Sequence, residues 1–158
     1  MATTENIGLT LFEGSDYVSR EAINENFTKI AEALGIDYIC ERGKSGDWEW
    51  VKYNSGFMEQ WVVDKAFPSI DVRAWVGNEG ILGRTNNMTF GNFPIPFTTL
   101  PQVYVTFNST ESGAFESLIG YDGNNSTTKA QNFFLVDPCI GATVGTPHFG
   151  IYARGYYK

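Results

Sequence analysis

The residues that could do chemistry in this chain of 158 residues are few and scattered. The C-terminal third holds four carboxylates, Glu111, Glu116, Asp122 and Asp137. A glycoside hydrolase needs two carboxyl groups held across a sugar-sized gap. Each of these four sits in or beside a turn pattern and no spacing pairs them, so they read as solvated loop residues. The single histidine, His148, follows Thr146-Pro147 at the head of a strand pattern. Triads are spatial, so sequence alone does not exclude one. No Gly-x-Ser-x-Gly elbow accompanies this histidine, however. It reads as a polar edge or interface residue. Cys139 and His148 lie nine apart with no second Cys-His pair, which is not metal-site spacing. The run Gly77-Asn78-Glu79-Gly80-Ile81-Leu82-Gly83 lacks the Lys-Ser/Thr that a phosphate-cradling loop carries. The expectation is a chain with no catalytic residue, no metal and no cofactor.

What remains suits sugars. Aromatic faces stack on sugar C–H bonds, and short planar polar groups fix hydroxyls. Such residues gather in Asn86-Asn87, in Asn108-Ser109-Thr110 and in Tyr121-Asp122-Gly123-Asn124-Asn125. Loops of this composition act as adaptable recognition surfaces on other β-scaffolds. The same residue types are also the commonest turn formers, which is the plainer explanation. The candidate ligand-binding residues are Tyr121, Asp122, Asn124, Asn125, Asn86 and Asn87.

The elements that must position these residues are mostly strands. Asp47-Trp48-Glu49-Trp50-Val51-Lys52-Tyr53 and Phe57-Met58-Glu59-Gln60-Trp61 alternate around an Asn54-Ser55-Gly56 turn, which predicts a β-hairpin. Trp48, Trp50 and Lys52 share one face; Met58, Gln60 and Val62 share one face of the returning strand. Strands are predicted near 37–41, 48–53, 57–65, 69–76, 86–90, 102–108, 115–121, 130–136 and 147–157. Phe93-Pro94-Ile95-Pro96-Phe97 cannot be a central strand, because two prolines lack N–H donors. It is expected to cross between two sheets. Asp122-Gly123-Asn124-Asn125 is expected as a hairpin loop. Nine short strands imply a compact antiparallel β-sandwich.

Before the strands, Ser19 is a plausible N-cap, and Ile23, Phe27, Ile30 and Leu34 follow heptad spacing up to a C′ glycine, Gly35. This predicts one short α-helix after an aperiodic arm, residues 1–18. The helix stripe could pack on the chain's own sandwich or bundle with copies of itself. The organisation is therefore an arm and helix over 1–35 and a β-domain over 36–158.

Composition narrows the partners. The net charge of −7 argues against nucleic acid, whose recognition needs a basic patch. No apolar run approaches a membrane span, and Met1-Ala2-Thr3-Thr4-Glu5-Asn6 has neither region of a secretion signal. Cytoplasmic synthesis is expected, with Cys40 and Cys139 as free, mostly buried thiols; pairing between them is left open. Twelve of the eighteen acidic residues fall in 1–64, leaving a charge-poor C-terminal third. That third is either a self-contained core or an oligomer interface.

The order and wording of these segments resemble the C-terminal domain of phage and prophage tail-fibre or minor structural proteins. The resemblance runs through Val18-Ser19-Arg20-Glu21-x-Ile23-Asn24-x-Asn26-Phe27-x-Lys29-Ile30, Asp37-Tyr38-Ile39, and Trp48-x-Trp50-x-Lys52-x-Asn54-Ser55-Gly56-x-x-Glu59-x-Trp61. It continues in Asn92-Phe93-Pro94-Ile95-Pro96-Phe97-x-x-x-Pro101-x-Val103 and ends at Phe149-Gly150-Ile151-Tyr152-Ala153-x-Gly155-Tyr156-Tyr157-Lys158. Gln60-Trp61 stands where many relatives carry Cys-Trp, and Gly155-Tyr156-Tyr157 where they often end Gly-x-Trp.

The resemblance implies a homotrimer with a β-sandwich similar to H-type lectins. It implies a virion-tail location, docking of the N-terminus to other tail or baseplate proteins, and non-enzymatic attachment to a bacterial cell-surface glycan. A purely structural fibre module and a surface-glycan hydrolase are the alternatives.

Overall fold

The computed structural model describes residues 8–12, 17–35, 37–75, 82–109 and 118–158. Glu111, Glu116, Thr110, most of the 77–83 run and the start of the predicted 115–121 strand lie outside the described residues.

The helix forms where its signals place it. The Ser19 Oγ accepts the Ala22 N–H at 3.1 Å, α1 spans Arg20–Ala33, and Gly35 ends it at φ 65°. Its polar side is held by the arm. Asn26 accepts the Thr10 N–H at 2.7 Å and donates to the Thr10 carbonyl at 2.9 Å, and Lys29 donates to the Gly8 carbonyl. No α1 residue is buried, and Phe27 is 65% exposed. Of the two fates open to the stripe, burial against the chain's own sandwich is not what the fold shows.

The larger sheet contains β1 (Ile39–Ser45), β2 (Trp48–Tyr53), β3 (Phe57–Ala66), β7 (Gln102–Ser109) and β11 (His148–Tyr156), in the order β1-β2-β3-β11-β7 and antiparallel throughout. The predicted hairpin is β2–β3, with Gly56 at φ 92° in its turn. Asp37 caps that turn, accepting the Ser55 N–H at 3.0 Å and its hydroxyl at 2.6 Å. A second sheet contains β5 (Arg73–Ala74), β6 (Gly83–Arg84), β8 (Leu118–Asp122) and β9 (Asn132–Asp137), in the order β5-β6-β9-β8. A small ladder joins β4 (Ile70–Asp71) to β10 (Thr143–Val144).

The core lies between the sheets. Met58, Val62, Phe149 and Ile151 from the larger sheet meet Phe133 and Leu135 from β9, with Trp48, Phe67, Phe90 and Phe93 closing the layer. The Phe133 and Phe149 rings stand 4.8 Å apart, and Phe67 packs edge-on against Phe90, Phe133 and Phe149. Edge-to-face geometry suits aromatic quadrupoles. This is the mainly antiparallel β architecture, with one N-terminal helix, that the strand pattern predicts.

Three expectations are corrected. The predicted 86–90 strand is a single bridge, Met88 to Phe133, because the chain there turns inward to bury Met88 and Phe90. The predicted 69–76 strand is two short pieces, because the chain changes sheets at Val72, whose N–H and carbonyl bond Ala142 and Gly141 at 2.8 Å each. Both cysteines are free, as expected, but exposed rather than buried. Cys40 lies on the edge strand β1, and Cys139 in the turn after β9. No helix among the described residues is long and apolar enough to cross a membrane.

Candidate ligand-binding face

Side chains alternate across a strand, so β9 has two opposite duties. Phe133 and Leu135 point into the core. Asn132, Phe134 and Val136 point away from it. Phe134 is nonetheless buried, because it is covered from outside. Across the ladder it faces Gly120, where a Cβ would collide with its ring. The Trp75 ring packs edge-on at 5.6 Å, and the Arg84 guanidinium lies over the ring at 3.9 Å. Arginine stacks on aromatic faces because its planar, weakly hydrated cation matches the negative ring face.

Arg84 is placed by its strand. It pairs with Arg73 on one side and Val136 on the other. Its Nη2 donates to Asn87 Oδ1 at 2.5 Å and lies 3.6 Å from Asp122 Oδ2. Asn87 Nδ2 in turn donates to Asp122 Oδ2 at 2.6 Å. This Asn87 hydrogen bond, helped by the Arg84 charge, holds the Asp122 carboxyl below the usual carboxylate range. The result is a three-membered polar cluster beside an aromatic platform. Arg73, Trp75, Arg84 and Asn86 line a shallow depression of about 330 Å³ next to it.

The six predicted residues divide. Asn87 and Asp122 meet, and Asn86 lines the depression. Tyr121 does not join them. It pairs with inward-pointing Phe133, so it leaves the sheet on the face opposite Asp122. Asn125 is occupied, its Oδ1 accepting the Gln131 N–H at 2.9 Å. Asn124 is exposed on the 123–131 loop, whose own hollow is only about 130 Å³. Asn108 is also occupied, donating to the Val63 carbonyl and to Asp64. Sequence reading missed Arg73, Trp75, Arg84 and Phe134. The signal was there: Arg73 and Trp75 are two apart in a strand pattern and so share a face.

Of the four carboxylates singled out in the C-terminal third, the two that are described, Asp122 and Asp137, do not form a hydrolytic pair. Asp122 faces Asn132, and Asp137 is five residues further along β9, about 16 Å at strand rise. That exceeds the gap either glycosidase geometry uses, about 5–10 Å. The two also project from opposite faces, and Asp137 is buried with its Oδ1 accepting the Cys139 N–H at 2.6 Å. His148 lies 2.7 Å from Asp64, and no hydroxyl or thiol joins that pair by hydrogen bond among the described residues. Nor do three His, Cys, Asp or Glu side chains converge there as a metal site.

No family model matches the chain, and neither does any curated protein. Solved structures do. An N-truncated R1-type pyocin tail fibre is similar at TM-score 0.51 and 13% identity, covering 91% of this chain and 100% of that one. A C-terminal portion of the Pseudomonas aeruginosa R1 pyocin fibre is similar at TM-score 0.50 and 13% identity, covering 93% of this chain and 39% of that one. At this identity the likeness is one of fold.

Proposed function

We propose that this protein is a phage or prophage tail-fibre component that attaches non-covalently to a bacterial surface glycan. The observation that carries the reading is the fold likeness to a pyocin tail fibre, which spans nearly all of both chains. The outer face of the β5-β6-β9-β8 sheet supplies a suitable contact surface. Trp75 offers a half-buried aromatic ring, while Arg84, Asn86, Asn87 and Asp122 offer fixed donors and acceptors. Such preorganised polar groups beside an aromatic wall are the usual means of orienting a small polar ligand. No step of bond cleavage belongs to this reading.

The assembly is a homotrimer in which the exposed α1 stripes meet around the symmetry axis, and the N-terminal arm docks to other tail or baseplate proteins. Three copies per fibre turn weak single sites into strong attachment. The test is binding of the full chain to bacterial envelope polysaccharides on an array, with Trp75→Ala and Asn87→Ala as site variants. Binding that both variants weaken supports the proposal. No binding to any glycan would leave a purely structural fibre module. Release of short oligosaccharides from the polysaccharide would overturn the non-enzymatic reading.

A further inference from the structure

The geometry points to an anionic saccharide, one bearing a uronate carboxylate or a phosphate, as the ligand of the depression between β5 and β6. The argument rests on the glycan-binding reading above and starts from a pairing that folding alone does not favour. Arg73 and Arg84 are directly opposite residues of the β5–β6 ladder. Directly opposed side chains leave the same face with Cβ atoms about 5 Å apart, and like charges there repel. The chain has only eleven Lys and Arg against eighteen Asp and Glu, so two arginines opposed by chance is an uncommon arrangement.

The two cations are not equally neutralised. Arg84 has Asp122 at 3.6 Å and Asn87 at 2.5 Å, and these fix one edge of its guanidinium while Phe134 fixes its plane. The Arg73 side chain has no hydrogen bond or ion pair among the described residues, and the residue is exposed. The described side chains of this face therefore carry two positive charges against one negative, on a protein whose net charge is −7. Positive charge concentrated there serves an anion that must approach an otherwise repelling molecule. Arginine forks bind carboxylate and phosphate oxygens in pairs, which gives direction as well as attraction. Trp75 flanks Arg73 on the same face, so a sugar ring bearing the anion would lie on the indole while its charge spans the two guanidinium groups. Asn86 is at hand for a hydroxyl.

The experiment titrates the full chain by ligand-observed NMR with four probes: a galacturonate tetramer, glucose 1-phosphate, maltotetraose and inorganic phosphate. Arg73→Gln is the variant, chosen because an exposed side chain with no partner among the described residues can change without unfolding the protein. The expected result is that the galacturonate tetramer or glucose 1-phosphate binds at least about tenfold more tightly than maltotetraose, and that Arg73→Gln removes the difference. Which of the two binds better tells carboxylate from phosphate. If maltotetraose binds as well as the acidic sugars, the inference fails while glycan binding stands. An unchanged acidic-sugar preference in Arg73→Gln also overturns it. So does inorganic phosphate binding as tightly as glucose 1-phosphate, since the sugar then contributes nothing. If no saccharide binds, both readings fall together.

Discussion

Gln60 and Ile95 pair as two strand residues would, although one of the partners is a side chain. The Gln60 Nε2 donates to the Ile95 carbonyl at 2.7 Å, and the Ile95 N–H donates to Gln60 Oε1 at 3.2 Å. Gln60 is fully buried on β3, on the same inward face as Met58 and Val62. Ile95 lies between two prolines, so its N–H is the only backbone donor of residues 94–96, and among the described residues it is Gln60 rather than a strand that receives it. One side-chain amide satisfies both groups and ties the crossing segment to the sheet floor.

Gln60→Met tests this. The substitution keeps length and apolar volume but removes both hydrogen bonds, leaving the half-buried Ile95 N–H and carbonyl unpaired. Two orphaned groups are expected to destabilise the fold by about 2–4 kcal/mol. Urea denaturation should show a lower midpoint at unchanged slope. A loss below about 0.5 kcal/mol would mean that water reaches the amide.

Much of this was legible in the residues themselves. The hairpin, the helix with its Ser19 and Gly35 limits, and the non-strand nature of Phe93-Pro94-Ile95-Pro96-Phe97 all rest on local chemistry, and local chemistry is written in sequence. The partner of Ile95 was not legible, because a glutamine on an inward strand face gives no sign of what it meets thirty-five residues away. The candidate site was half legible for the same reason. Asn87 and Asp122 read as loop residues and do meet, but the residue that joins them into a cluster, Arg84, comes from a strand only two residues long. Tyr121 looked equivalent to Asp122 because composition ignores strand alternation, which sends neighbours to opposite faces. The helix stripe is a different case. A heptad stripe says that a surface is apolar, not what covers it.

Two glycines separate stability from binding. Gly43 faces Trp50 across β1–β2, and Gly120 faces Phe134 across β8–β9; a Cβ at either would enter the facing ring. Gly43→Ala and Gly120→Ala are each expected to cost about 1–3 kcal/mol by overpacking. Only Gly120→Ala should also weaken saccharide binding, because Phe134 carries the Arg84 guanidinium. Equal binding by the two variants under folded conditions would detach the platform from the site.

Asp64 supplies a pH test. Its carboxyl is held below the ordinary value of 3.8, first by the Asn108 amide and then by His148. A carboxyl whose folded pKa is depressed adds stability above its unfolded pKa and loses it as pH falls through the folded one. Asn108→Ala should therefore be less stable than the native protein at neutral pH, and the gap should narrow as the pH is lowered below the ordinary carboxyl value of 3.8. Thermal unfolding followed by circular dichroism across that range reads the effect. A gap that persists in acid would assign it to the Asn108–Val63 hydrogen bond instead.

The exposed stripe of α1 gives the last test. Two heptads are too short to hold an oligomer alone, so the helix can only add to association that the β-domain begins. Phe27 is its most informative member: large, apolar and 65% exposed in the single chain. An aspartate there costs a lone subunit almost nothing, within about 0.5 kcal/mol, because no buried contact is lost. In a trimer it would bring three charges to the axis. Light scattering should therefore give three times 17.6 kDa for the native protein and a smaller mass for Phe27→Asp at dilute concentration, with the unfolding of the β-domain unchanged. A native mass near 17.6 kDa would remove the trimer. An undiminished variant mass would place the whole of the association in the sandwich.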